Sequence, residues 1–100
     1  MLMRITWGKI QDGRWDEYVA LWQKSAAEAH GAKGLGGRWL LRDRDSNNAG
    51  YSISLWETGE DLEAYVANQQ GRPVNADMVA CFTGQYVTTI CDVCATDPAS

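Results

Sequence analysis

One histidine, His30, is all the imidazole this 100-residue sequence contains, so a base working near neutral pH or a nitrogen ligand for a metal has a single place to come from. Three cysteines, Cys81, Cys91 and Cys94, are an odd number, and with one His they do not make a four-ligand zinc set at any recognisable spacing. Positive charge is in deficit: 9 Lys and Arg against 13 Asp and Glu give a net charge of −4, without the basic footprint of a nucleic-acid binder. No stretch approaches the ~20 consecutive apolar residues of a membrane-spanning helix, so no membrane role is expected. In Met1-Leu2-Met3-Arg4-Ile5 the charge follows the apolar residues and no apolar core region comes after, which is not the pattern of a signal peptide. The expectation is a reduced, cytoplasmic chain. A hydrophobic share of 45% argues against disorder, and the length suits one domain, expected over residues 1–94, with a frayed tail at 95–100. Five Trp and four Tyr in so short a chain are the unusual presence.

Residues 3–10 alternate Met3, Ile5 and Trp7 against Arg4, Thr6 and Gly8, a period of two that predicts a strand with one face buried. Asp12-Gly13 breaks it, and Asp12 is placed to cap the next element. Trp15, Tyr18, Val19, Trp22, Ala26 and Ala29 then recur at helical spacing, predicting an amphipathic helix over 13–30, with Asp16 and Glu17 at its positive end. His30-Gly31 is a stop signal, and a charge held by the helix dipole would make His30 a poorer base. Gly34 to Gly37 lead into a strand at Arg38–Arg42. Asp43 to Gly50 read as a hairpin connection. Gly50–Glu57 is a third strand, with Tyr51, Ile53 and Leu55 on one face and Ser52, Ser54 and Trp56 on the other. Thr58 followed by Asp61 resembles a capping box, and Leu62, Tyr65, Val66 and Gln69 carry a helix to about Gln70. A short helical turn is expected at 74–80, and a last strand over Phe82–Val93.

The order β-α-β-β-α-β predicts an α+β, ferredoxin-like fold: a four-stranded antiparallel sheet with both helices on one face. The uncovered face is expected to carry Leu40, Trp56 and either Val87 or Tyr86 among Arg, Ser and Thr. Aromatic groups there suggest a partner surface, most simply a second copy of the chain in a two-fold dimer.

The segment Ser54-Leu55-Trp56-Glu57-Thr58-Gly59-Glu60-Asp61-Leu62-Glu63-Ala64-Tyr65 resembles the strand-to-helix junction of the antibiotic-biosynthesis monooxygenase (ABM-like) family, and Phe82-Thr83-Gly84-Gln85-Tyr86 resembles the start of that family's fourth strand. The element order extends the resemblance over residues 3–93. It implies a homodimeric α+β barrel with sheets face to face. It also implies oxidation of polycyclic aromatic or quinone-type substrates by dioxygen, without metal or flavin cofactors. A haem-degrading branch of the family uses an Asn on the first strand, a Trp on the second helix and an iron-ligating His. Aligned on Gly13 and Trp56, those positions here hold Thr6, Tyr65 and Asn75, and an amide does not replace imidazole on iron.

Thr6, Trp22, Trp56, Tyr65 and Asn75 are the candidate substrate-binding residues, an aromatic-walled site between sheet and second helix suited to a flat aromatic or apolar ligand. The same aromatics would equally serve as core. Arg38 and Arg42, on one strand face, are candidates to stabilise a substrate anion, or else rim charges. Glu57, Glu60, Asp61 and Glu63 read as helix-start electrostatics. Cys91 and Cys94 have thioredoxin spacing but end a strand instead of starting a helix, which leaves their thiols without that activation. The functional expectation is a cofactor-independent monooxygenase for an aromatic or polyketide/quinone-type molecule. The alternative is a non-catalytic dimeric barrel binding a small apolar ligand or acting as an accessory protein.

Overall fold

Strand and helix succeed one another as the periodicities dictate: β1 (Leu2–Lys9), α1 (Trp15–Glu28), β2 (Leu35–Arg42), β3 (Ala49–Trp56), α2 (Gly59–Gln69), α3 (Pro73–Val79) and β4 (Val87–Asp92). The computed structural model describes residues 1–97. All pairings are antiparallel, and the strand order is β2-β3-β1-β4, the ferredoxin-like arrangement with a short extra helix, α3, where a helical turn was expected. Among the described residues no helix is long and apolar enough to cross a membrane.

Several local expectations need correction. Asp12 does not cap α1; the N-cap residue is Arg14, with no side-chain cap bond. Arg14 is held elsewhere, its Nε donating to Glu17 at 2.7 Å and its Nη1 to the Ala80 carbonyl at 2.9 Å. Asp12 instead accepts a long bond, 3.4 Å, from Asn48 Nδ2. The helix ends at Glu28, short of His30, which is exposed. At α2 the cap is as expected, Thr58 Oγ1 accepting from the Asp61 amide at 3.1 Å. β4 starts only at Val87. Phe82 joins the sheet by a single bridge to Ile10, and Gly84, at φ +142°, separates it from the strand. Ala95–Asp97 have no regular secondary structure, and the rest of the expected tail, 98–100, lies outside the described residues.

The larger correction concerns which face of the sheet meets the helices. The register places Arg38, Ser54, Arg4 and Ile90 in one row across the sheet and Leu40, Ser52, Thr6 and Thr88 in the next. Trp22 of α1 donates to Ser52, and Trp56 packs on Tyr65 of α2, so these polar rows face the helices. Leu40 and Trp56 therefore lie on the covered face, and Trp56 is fully buried. Tyr86 precedes β4 and stacks on Phe82, ring centroids 4.9 Å apart. Of the residues assigned to the uncovered face only Val87 is there. Its neighbours are the opposite alternation, including Ile5, Trp7, Trp39, Leu41, Tyr51 and Ile53.

The core is correspondingly displaced to one end of the helix face, where Ile10, Trp15, Tyr18 and Cys81 cluster. Two strand glycines let aromatic rings sit directly on the sheet. A Cβ on Gly8 would fall inside the Phe82 ring contact, and one on Gly50 would lie 2.5 Å from the Leu41 carbonyl oxygen and 2.6 Å from the Trp15 ring. Away from this cluster the sheet offers mainly hydroxyls, and these side chains are too small to fill the space beneath the helices.

Candidate functional site

That unfilled space is a cavity of about 240 Å³ between the sheet and all three helices. Its floor is Thr6, Ser52 and Thr88, with Arg4 and Arg38 from the adjoining row. The Thr6 and Thr88 hydroxyls bond each other at 3.0 Å across β1 and β4. Tyr18 and Ser25 of α1, Tyr65 and Gln69 of α2, and Asn75 and Met78 of α3 form the walls, with Phe82 and Tyr86 closing one side. The exposed residues of its lining are Gln70, Asn75, Val79, Tyr86 and Thr88.

The five sequence candidates divide. Thr6, Tyr65 and Asn75 line the cavity together; Trp22 and Trp56 do not reach it. Trp56 is buried behind Tyr65, ring centroids 4.8 Å apart, with its Nε1 donating to Ser54 Oγ at 2.9 Å. Trp22 donates to Ser52 Oγ at 2.9 Å and lies in a separate groove along β2. Gln69 Nε2 donates to the Tyr65 hydroxyl oxygen and, at 3.4 Å, to Ser25, which fixes the phenol and leaves its own proton free to be donated.

Charge in the cavity is of one sign. Its described lining has no carboxylate, imidazole or thiol, and His30 sits in a surface depression on the far side of Tyr65 with Glu28 and Arg72. The Arg38 guanidinium lies 5.1 Å over the Trp22 ring and 5.7 Å over the Tyr65 ring, and its Nη1 is buried without a hydrogen-bond partner. Burial holds it below the usual arginine range, the Arg4 charge pushing the same way and the Tyr65 and Tyr18 phenols opposing. Arg42, which the sequence paired with Arg38, points instead over Trp15 at 5.0 Å and is outside the cavity. Arg4 takes its place, a residue sequence reasoning passed over. It shares the alternation of Thr6, and the signal for it was the strand register. Among the described residues no cluster of three or more His, Cys, Asp or Glu is placed to hold a metal ion. Asn75, which the resemblance aligns with the iron-ligating His of the haem-degrading branch, offers an amide to the cavity, and His30 is not part of its described lining.

Tyr18, buried at the back wall, has its pKa pushed up to about 12 by burial first and by the neighbouring Cys81 charge second, Arg38 opposing. It cannot serve as a base near neutrality. Because the folded value lies above the unfolded one near 10, the folded state holds this proton more tightly. The stability it contributes is complete below about pH 10 and lost as pH rises toward about 12, on the order of 2–3 kcal/mol. Urea titrations between pH 9 and 12 should show that loss in the native protein and a markedly smaller one in Tyr18→Phe.

No protein-family model matches the sequence, and no curated protein matches it. Solved structures do. SnoaB from Streptomyces nogalater, a cofactor-independent oxygenase, superposes with a TM-score of 0.83 at 18% identity, covering 98% of this chain and 97% of that one. An antibiotic biosynthesis monooxygenase superposes at 0.80 and 15% identity, over 95% of this chain and all of that one. MhuD from Mycobacterium tuberculosis, a haem degrader with two haems bound in its active site, gives 0.76 at 18% identity over 98% and 100%. The resemblance carried by the Trp56 junction thus holds at the level of three-dimensional structure: the chain has the fold of the antibiotic-biosynthesis monooxygenase proteins.

Proposed function

We propose that the chain is a cofactor-independent monooxygenase of the antibiotic-biosynthesis class, a single domain over residues 1–94, acting on an aromatic, polyketide- or quinone-type small molecule. The observation that carries the reading is the cavity. Tyr65, Phe82 and Tyr86 give it aromatic walls suited to an apolar ligand, and hydroxyls and guanidinium groups offer donors to the ligand's oxygens. At about 240 Å³ it falls below the usual range for drug-sized ligands, which favours one or two fused rings over four. Fold likeness to a cofactor-independent oxygenase adds support by analogy.

The chemistry is set by the charge. Without a neighbouring base, the substrate must be acidic enough to lose its own proton to water, and Arg38 and Arg4 lower the cost of the resulting anion. The electron-rich ring carbon then reduces dioxygen and bonds to it. Loss of water from the hydroperoxide leaves one oxygen on the ring as a carbonyl. Tyr65, held by Gln69, is placed to donate to a substrate oxygen. Oxygen uptake over a panel of hydroxynaphthalenes and anthrones tests this. At least one member should be consumed with saturation, and Tyr65→Phe should lower kcat about tenfold or more without changing Tm. Uptake no faster than the blank across the panel sinks the oxygenase. Saturable quenching of Trp fluorescence without uptake would establish the second reading, a non-catalytic binder, which the absence of a titratable base in the described lining favours.

The same reading includes a homodimer through the open apolar sheet face. It also includes a cytoplasmic location, with Cys81, Cys91 and Cys94 unpaired.

A further inference from the structure

We infer that the cavity takes its ligand as an oxyanion, seated against Arg38 with Arg4 as the second cation. This deepens the proposed function and rests on it only for where the ligand sits. Arg38 and Arg4 occupy one row of the sheet on the helix-facing side, with Ser54 of the intervening strand between them. Two strand spacings of about 4.8 Å separate their backbones, so both guanidinium groups reach a single bound molecule. Neither has a counter-charge: among the described residues the ion pairs are Arg14 with Glu17 and Arg72 with Glu28, and the described lining of the cavity is free of carboxylates.

A guanidinium removed from water without a partner is costly, and one buried N–H with nothing to bond adds to that cost. Trp22 and Tyr65 hold the Arg38 plane by their ring faces, which orients the fork without neutralising it. An oxyanion offsets both costs at once, bonding the free Nη1 and cancelling part of the repulsion from Arg4. The remaining polar groups suit the same ligand, since the Tyr65 phenol, the Ser52 hydroxyl and whichever of the Thr6–Thr88 pair keeps its proton can donate. The substrate class is therefore a small, one- or two-ring aromatic acid, its negative oxygen either a ring carboxylate or an ionised enol.

Calorimetry with two matched pairs separates these sources: 1-hydroxy-2-naphthoate against its amide, and 2-hydroxy-1,4-naphthoquinone against its methyl ether, at pH 8. In at least one pair the anion should bind ten-fold or more tighter than its neutral partner, and the pair that discriminates identifies the source. Arg38→Gln should abolish that ratio, Arg38→Lys should keep part of it, and Arg4→Gln should reduce it with the Arg38 site intact. Equal affinity within both pairs, failure of both anions to bind, or a ratio unchanged in Arg38→Gln overturns the inference. Oxygen uptake keeps the two claims apart. Anion selectivity here with no uptake anywhere in the hydroxynaphthalene and anthrone panel retains the subsite and removes the oxygenase, and uptake in that panel without anion selectivity does the reverse.

Discussion

Placing one carboxylate at the centre of the open sheet face, as in Ile53→Asp, should convert a dimer into a monomer and lower the apparent stability by several kcal/mol. Ile53 lies on an inner strand between Trp39 and Ile5, and the next row runs Leu41, Tyr51, Trp7, Val87. In the single chain Trp7 is 36% exposed, Trp39 45%, Leu41 46% and Val87 54%. Monomeric proteins seldom leave so continuous an apolar surface in water. A second copy would be self-complementary to it, and the two rows, four strands wide, are apolar except for Thr89. A carboxylate there would be desolvated opposite its own symmetry mate, so burial and repulsion act together. Sedimentation velocity at micromolar concentration should give a dimer for the native chain and a monomer for Ile53→Asp, with a Tm that no longer depends on concentration. Glu63→Lys, on the exposed side of α2, should change neither. A native chain that sediments as a monomer at those concentrations removes the dimer.

Element order was readable because each segment carries one dominant period and ends in a recognisable breaker, as at Asp12-Gly13, Gly31 and Gly71-Arg72-Pro73. The faces were harder. Alternation says which residues of β1 share a side, and it assigned Met3, Ile5 and Trp7 together correctly; it does not say which side meets the helices. The usual inference, that the apolar side does, fails here for a physical reason. The helix side floors a cavity and is polar, and the apolar side is left facing outward. That one inversion put Trp56 and Leu40 on the wrong face and hid Arg4. Trp22 and Trp56 were read as walls of a site because aromatics mark both pockets and packing, and sequence alone does not separate the two. Tyr86 escaped because the break at Gly84 turns it off the strand and onto Phe82.

Trp56→Ala should cost about 3–5 kcal/mol, the range for deleting a buried Trp, and the high end is expected here. The side chain has no solvent exposure, Leu62 of α2 is 3% exposed, and among the described residues no other aromatic ring pair ties the end of β3 to α2. Deletion also strips Ser54 Oγ of its indole donor inside the fold, which adds a desolvation cost to the lost packing. Trp56→Phe keeps most of the volume and loses the N–H, so about 1–2 kcal/mol is expected. The two substitutions separate an anchor from a ligand contact. Because Trp56 stands behind Tyr65 and outside the cavity lining, Trp56→Phe should leave the affinity for an aromatic ligand within about threefold. Trp56→Ala should abolish binding by letting Tyr65 fall back into the vacated space. If Trp56→Phe held its Tm within a few degrees yet lost affinity tenfold, the indole would be touching the ligand, and the wall of the site would have to be redrawn one layer deeper, at Trp56 itself.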